Sequence, residues 1–141
     1  MTSLDFDCRC DYEPAVFYRT RIVRARKGHR CYECSSPILP GELYENTAGM
    51  WDRCDGVSTF KTCERCRDLR VWVTNSIPCF CWAHGNLHED AEGTIEEATW
   101  RLPEETVGLR FGIARRLVAI RRESTFRRTG EKPWTRRKRT D

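Results

Sequence analysis

The chain has 141 residues, 39% of them hydrophobic and 33% charged, with nine cysteines and a formal net charge of +4. This composition predicts one domain with a modest core, and no apolar run approaches the roughly 20 residues of a membrane span. The first residues lack the basic and apolar segments of a signal peptide, so we expect a cytoplasmic protein. In a reducing cytoplasm, many cysteines favour metal thiolates over a disulfide framework.

Four of the nine cysteines form two CxC pairs. Their members are Cys8, Cys10, Cys79 and Cys81. Residues 15–26 are rich in β-branched and aromatic side chains and predict a strand. If this strand runs back along the core, it brings the first pair to the second, and the four sulfurs form a second zinc site. A rival set combines the second pair with His84 or His88, and buried free thiols are a further alternative.

Two CxxC motifs are the strongest chemical signal in the sequence. They contain Cys31 with Cys34 and Cys63 with Cys66. Each motif places two thiolates about one turn apart, so two motifs can close four sulfurs around one Zn²⁺ at about 2.3 Å. Such a site leaves no position open for water, so the predicted zinc ion is structural. The sequence therefore predicts one zinc ion, or two if the CxC pairs cooperate.

The 28 residues between the two CxxC motifs predict a β-hairpin. A Pro/Gly turn comes first, and two β-prone runs, 43–51 and 57–62, then flank a loop that ends in Asp-Gly. From residue 63 the apolar spacing becomes helical until residues 75–78 end it. The second CxxC motif therefore lies on the first turn of a helix, where free N–H groups and the helix dipole favour thiolates.

In a treble-clef zinc finger, a CxxC motif is followed by a β-hairpin and then by a helix that carries the second cysteine pair. Residues 28–76 resemble this arrangement. The same segment is similar to a group of small, mostly uncharacterised proteins of tailed bacteriophages. Those proteins carry a CxxC-x-x-x-I-x-x-G-E-x-Y motif and a CxxC helix, and the similarity extends to residues 7–13. It implies a zinc-binding protein of the bacterial host cytoplasm. Cys54, in the hairpin loop, departs from the two-motif pattern.

Charge is distributed unevenly along the chain. Residues 1–100 carry 12 Lys and Arg against 16 Asp and Glu, whereas residues 101–141 carry 13 against 5. Acidic side chains are concentrated at residues 89–97. Residues 104–123 predict a helix, and residues 124–141 predict a flexible basic tail. The predicted apolar face of the helix consists of Val107, Phe111, Ala114, Leu117 and Val118.

A basic helix and tail are typical of phosphate binding, because arginine pairs with phosphate and released counterions favour association. A tryptophan in the tail is suited to stacking on a base. The candidate residues for binding nucleic acid are Arg115, Arg116, Arg122, Arg127, Arg128, Trp134, Arg136, Arg137, Lys138 and Arg139. Contact with an acidic protein surface is the alternative role of this basic end.

These signals together predict an α+β fold with a treble-clef core, an N-terminal strand and C-terminal helices. We expect a zinc-binding domain over residues 1–100, an amphipathic basic helix packed on it over 101–123, and the tail over 124–141.

The predicted function is that of a binding protein and not of an enzyme. We expect an accessory or regulatory protein of the phage type that binds DNA or RNA, with no membrane partner and no small-molecule substrate. A phage-encoded inhibitor or modulator that binds a host protein is the alternative. An HNH-like nuclease is disfavoured, because it needs histidines on the hairpin and the helix, and residues 43–76 contain none.

Overall fold

The structure is a computed structural model that describes residues 15–77, 80–101, 104 and 106–130. Within these residues the fold is α+β, as the sequence predicts, with antiparallel strands followed by helices. The elements in chain order are β1 (Phe17–Arg24), β2 (His29–Arg30), β3 (Pro37–Ile38), β4 (Leu43–Met50), β5 (Ser58–Cys63), α1 (Glu64–Ser76), α2 (Leu87–Arg101) and α3 (Val107–Thr129).

Strand β4 is the centre of a three-stranded antiparallel sheet in the order β1-β4-β5. Its Thr47 lies opposite Thr20 of β1 and Phe60 of β5. The three strands coincide closely with the runs predicted from β-prone residues. The loop between β4 and β5 ends in Gly56, whose φ of +74° suits the glycine of the predicted Asp-Gly turn. Strands β2 and β3 form a separate short antiparallel pair.

Helix α1 packs through the apolar spacing that the sequence predicts. Cys66, Leu69 and Val73 are fully buried. Arg70 on the same helix forms a bidentate ion pair with Glu45 of β4, whose carboxylate is also buried, and the Nη2–Oε2 distance is 2.6 Å. A carboxylate is stable in the interior only when it is paired and hydrogen-bonded. This ion pair therefore fixes α1 against the central strand.

One hydrophobic cluster joins the short β2–β3 pair, the sheet and all the described helices. The helices contribute most of its volume. The buried apolar residues of the helices are Cys66, Leu69, Val73, Leu87, Ala91, Ile95, Ala98, Ile113, Leu117 and Ile120. Because each helix contributes to the same core, the end of α1 that carries Cys63 and Cys66 is fixed by packing as well as by hydrogen bonds.

The predicted apolar face of α3 is wrong at most of its positions, although Leu117 is buried as predicted. Phe111 is 73% exposed, and Val107 and Val118 are exposed as well. The buried positions of α3 are Gly112, Ile113, Leu117, Ile120 and Ser124. A Cβ atom on Gly112 would lie 2.4 Å from the Trp72 ring, so α3 approaches α1 where its side chain is smallest. A prediction from hydrophobicity turns a helix so that its large apolar side chains face the core. The contact of α3 with α1 depends instead on a glycine.

Helix α3 also extends past its predicted end at residue 123. Residues 124–129 are helical, so the expectation that the tail begins at 124 is wrong for this stretch. The helix ends at Gly130, whose φ of +71° permits its N–H to bond Phe126 O at 2.7 Å. The remainder of the predicted tail, 131–141, lies outside the described residues.

Candidate metal centre

Four cysteines form a cluster that could hold a metal ion. The sulfurs of Cys31, Cys34, Cys63 and Cys66 all lie within 4.8 Å of one another. The Sγ atoms of Cys34 and Cys63 are 3.7 Å apart. Four sulfurs at about 2.3 Å from one tetrahedral ion are separated from one another by roughly 3.8 Å. Within the described residues, this is the one group of His, Cys, Asp and Glu that meets the geometric condition for a metal site.

The first cysteine pair lies in a tight turn between β2 and β3. The N–H of Ser35 donates to Cys31 O at 3.0 Å, and the N–H of Cys31 donates to Ser36 O at 2.9 Å. Ser35 has a φ of 59°, in the left-handed region that tight turns use. The N–H of Tyr32 donates to Lys61 O at 2.8 Å, which connects this turn to β5. The turn and the end of β5 therefore meet at the cluster.

The second cysteine pair lies at the junction of β5 and α1. Cys63 is the N-cap of α1, and Cys66 lies in the first turn, as predicted. The backbone N–H of Cys63 donates to the Cys31 sulfur at 3.3 Å. A helix N-terminus presents unpaired N–H groups and a partial positive charge, both of which stabilise thiolates.

The thiols of the cluster differ in acidity because they hydrogen-bond to one another. Hydrogen bonds from the other thiols, that of Cys34 first, lower the pKa of Cys31. The Cys66 thiol donates to its neighbours, Cys31 first, and this raises its pKa. Four closely spaced sulfurs, three of them on buried residues and the fourth on the half-buried Cys34, cannot all carry charge without a cation. A divalent metal ion at this position would take the place of the shared protons.

His88 lies beside the cluster, in the first turn of α2. Its Nε2 atom is 3.3 Å from the Sγ atom of Cys66. The rival second site would use His84 or His88 as a ligand, but the structure places His88 against the first cysteine group. His84 lies instead in the turn before α2, where its Nε2 atom is 3.1 Å from the Tyr18 hydroxyl. The two histidines therefore have separate partners.

Sequence reasoning did not identify the contact that positions α2. The Glu33 carboxylate, inside the first CxxC motif, accepts hydrogen bonds from the N–H groups of Gly85 at 2.8 Å and Leu87 at 3.1 Å. A carboxylate at a helix N-terminus satisfies unpaired donors and complements the helix dipole. The same short turn that supplies Cys31 and Cys34 therefore also anchors the helix that carries His88.

Most members of the predicted second zinc site cannot be compared with the structure. Cys8, Cys10 and Cys79 lie outside the described residues, and Cys81 is half-buried. Cys54 is exposed in the β4–β5 loop, where its N–H donates to the Asp52 carboxylate at 2.9 Å. Cys54 is therefore not a member of the four-cysteine cluster.

The predicted phosphate-binding arginines have different surroundings. Arg115, Arg122 and Arg128 are exposed on α3. Arg116 lies 4.0 Å over the Trp72 ring. Arg127 is largely buried, and its guanidinium pairs with the carboxylates of Glu42 and Glu123. Trp134, Arg136, Arg137, Lys138 and Arg139 lie outside the described residues. Arg128 Nε also donates to Ser124 O at 3.3 Å, so three of the five candidates in the described part of the chain make contacts within the protein.

No protein-family model, curated protein or solved structure matches the chain. None of the helices in the described part of the chain is both long and apolar enough to cross a membrane. Function is therefore inferred from the metal centre and the surfaces around it.

Proposed function

We propose that this protein is a non-enzymatic, zinc-stabilised binding protein that contacts nucleic acid through α3 and the basic residues that follow it. One observation carries the nucleic-acid part of this proposal. Arg115 and Arg122 lie about two turns apart on the same side of α3, and both are exposed. Neither has a carboxylate partner in the described part of the chain. Two unpaired guanidinium groups at this spacing suit the phosphates of a nucleic-acid backbone.

Zinc is the metal that the chemistry of the cluster supports. Thiolates are soft ligands, and four of them in a closed tetrahedral arrangement are typical of structural Zn²⁺. The bound ion would supply folding free energy, and the ligands Cys31, Cys34, Cys63 and Cys66 would hold β2, β3, β5 and α1 together. The order of the β2–β3 turn, the β4–β5 hairpin and α1 supports a treble-clef finger as the type of this site.

A binding role is proposed because the metal centre offers no chemistry for a reaction. All four ligand positions are cysteines, so a tetrahedral ion would have no place for a water nucleophile. The chain has three histidines, His29, His84 and His88, and none lies on β4, β5 or α1. An HNH-like nuclease would use histidines on that hairpin and that helix. The proposed role is therefore regulatory or accessory binding.

Fluorescence anisotropy with labelled DNA and RNA tests the nucleic-acid proposal. We expect the double variant Arg115→Ala/Arg122→Ala to bind more weakly than the natural chain. The slope of log K against log salt should become shallower by about 0.7 to 0.9 for each phosphate that is no longer neutralised. Arg121→Ala is the matched control, because Arg121 is on the same helix but pairs with Glu92 at 3.0 Å. An unchanged slope in the double variant would remove α3 from the interface.

Deleting residues 131–141 tests the rest of the basic end, including Trp134 and Arg136. This deletion removes no cysteine of the four-cysteine cluster, so the zinc content and melting temperature should change little. Nucleic-acid affinity should fall by a similar factor for all sequences, because phosphate contacts carry no sequence information. Absence of any binding by the full chain at low salt would refute this function.

A host protein is the second candidate partner, and an exposed aromatic surface favours it. Trp100 of α2 is 88% exposed and Phe111 of α3 is 73% exposed. Exposed aromatic side chains are frequent anchors of protein interfaces. Affinity purification from a nuclease-treated bacterial lysate, with Trp100→Ala/Phe111→Ala as the comparison, tests this candidate. A protein that the natural chain retains and the double variant does not would support it.

A further inference from the structure

An aromatic pocket lies on the sheet, away from α3. It is an open cavity of about 400 Å³. The residues that line it are Tyr18, Trp51, Phe60, Trp82, Ala83 and His84. Strands β1 and β5 each supply one ring, the residue after β4 supplies another, and the segment before α2 supplies the rest. The volume is within the range of sites that bind small flat ligands.

Gly49 on β4 shapes the floor of the aromatic pocket. A Cβ atom at this position would lie 2.6 Å from the Trp51 ring and 3.4 Å from Tyr18. The missing side chain lets the Trp51 indole fold back across the central strand. In the register of the sheet, Tyr18 is opposite Gly49, and Phe60 is opposite Thr47 on the same face. The sheet therefore directs three rings into one cavity.

The rings of the aromatic pocket are held in fixed orientations. The rings of Phe60 and His84 are stacked, with centroids 4.3 Å apart and an interplanar angle of 3°. Trp82 meets His84 edge-on at 4.6 Å, and Trp51 meets Phe60 edge-on at 6.1 Å. Tyr18 is 49% exposed and Trp51 is 40% exposed, so both present ring surface to solvent. A flat ligand can therefore reach the exposed ring surfaces of Tyr18 and Trp51.

No carboxylate lines the aromatic pocket, and those of neighbouring residues are engaged. Arg70 pairs with Glu45, the Cys54 N–H donates to Asp52, and the Ala83 N–H donates to Asp90. The guanidinium of Arg70 also lies 5.3 Å from the centroid of the Trp82 ring. A cationic ligand such as a methylated ammonium group would meet a positive charge and no free carboxylate here. A neutral ring fits better.

His84 is uncharged at neutral pH in this setting. Burial first, and then the positive charge of Arg70, lower its pKa to about 4. The imidazole is therefore a neutral aromatic surface like the other rings. Tyr18 lies on β1, at the edge of the sheet, so its ring is reached from solvent. Flat, neutral and partly exposed rings match an aromatic base, because a base stacks on such rings through its π-face.

We infer that the aromatic pocket binds one unpaired nucleobase of a single-stranded nucleic acid by stacking. This inference rests on the proposed nucleic-acid-binding function and adds to it a preference for single strands. Stacking on aromatic side chains tolerates different bases, because every base has a π-face. Duplex DNA would not fill the pocket, since its bases are stacked inside the helix.

Anisotropy with a short oligodeoxyadenylate and an abasic strand of the same length tests the inference on the full chain. Both strands carry the same phosphates, so a preference between them reports contact with the bases, and the Trp51 variants separate the pocket from Trp134 of the tail. We expect the natural chain to prefer the adenylate strand. Trp51→Ala should weaken adenylate binding by about 5- to 100-fold, with an unchanged salt slope, and should remove the preference. Trp51→Phe should retain most of the affinity, because it keeps a ring.

Trp100→Ala is the matched control, because it removes an exposed indole outside the aromatic pocket. Equal affinity for both strands, or unchanged adenylate binding in Trp51→Ala, would overturn the pocket while leaving the basic surface of α3 intact. Adenylate binding that depends on Trp51 but not on Arg115 and Arg122 would support the pocket and refute the α3 interface. If neither strand binds, the pocket and the α3 interface are both refuted. The exposed rings would then indicate a protein partner.

Discussion

The imidazole of His88 connects α2 to the metal centre, because its Nε2 atom lies 3.3 Å from the Sγ atom of Cys66. A group that donates a hydrogen bond to a ligating sulfur disperses the thiolate charge and orients the ligand. Glu33 holds the backbone at Gly85 and Leu87, and this places the next residue, His88, against the cluster.

With zinc bound, the Cys66 thiolate can only accept, so the Nε2–H tautomer of His88 would donate to it, and removing this donor should weaken metal binding without removing a ligand. We expect His88→Leu to lower zinc affinity by about 10- to 100-fold, as removal of a hydrogen-bond partner of a metal ligand typically does. His88→Gln keeps an N–H donor and should remain closer to the natural chain. Competition with a chromophoric chelator measures both variants. Equal affinity of His88→Leu and the natural chain would show that the contact is only steric.

Loss of a cysteine ligand should unfold the protein. Cys31→Ser and Cys63→Ser should abolish zinc binding. The chain should then unfold, because a structural zinc site contributes on the order of 10 kcal/mol to folding. Native mass spectrometry and far-UV circular dichroism follow the metal and the fold. Cys54→Ser is the matched control, since Cys54 is exposed in a loop, and it should change stability by less than about 0.5 kcal/mol. A folded, metal-free Cys63→Ser chain would contradict the zinc proposal.

The second zinc site can be tested by shortening the chain. If Cys8 and Cys10 are ligands, we expect two zinc ions in the full chain and one in a chain that lacks residues 1–11. The shortened chain should also melt at a lower temperature, because each structural metal contributes to folding. Native mass spectrometry gives the count. One zinc ion in both chains would leave the CxC pairs as free thiols.

The close approach of α3 to α1 makes Gly112 sensitive to substitution. Gly112→Ala places a methyl group 2.4 Å from the Trp72 ring, and the helices must separate. We expect a decrease of about 1 to 3 kcal/mol in the free energy of unfolding, measured by urea denaturation. Gly93 of α2 has open space around it, so Gly93→Ala should stabilise by about 0.5 to 1 kcal/mol. Equal effects of the two substitutions would contradict this packing.

The ion pair of Glu42 and Arg127 should make part of the stability depend on pH. The hydrogen bond from Arg127 lowers the pKa of Glu42 below its ordinary value of 4.5. The pair therefore contributes fully above pH 4.5, and the contribution disappears as the pH falls through the lowered pKa. Glu42→Gln should cost about 1 to 2 kcal/mol at neutral pH.

Urea denaturation of the natural chain and of Glu42→Gln at neutral and acidic pH measures this effect. The difference between the two chains should vanish in acid. Glu92→Gln is the control, because its pair with Arg121 is exposed and should contribute less than about 1 kcal/mol. A difference that persists in acid would contradict an ionic origin.

The sequence by itself determined the four-cysteine cluster, the three long strands and the inner face of α1. Each of these features is encoded in a short window. CxxC spacing sets the separation of two sulfurs, and β-prone runs around an Asp-Gly loop specify a hairpin. The apolar spacing of Cys66, Leu69 and Val73 identifies one side of a helix. Local patterns are enough to predict these pieces, although the pieces then meet over long separations, since Phe17 pairs with Met50 and the Cys63 N–H reaches the Cys31 sulfur across 32 residues.

Only the tertiary structure decided the orientation of α3, the position of His88 and the aromatic pocket. The contacts of Glu33 with Gly85 and Leu87 span 52 and 54 residues, and no local pattern encodes them. Large apolar side chains would turn α3 the other way, but the small size of Gly112 lets Trp72 pack against it. Shape complementarity between distant segments determines such contacts, because a packed core admits only arrangements without overlap or voids.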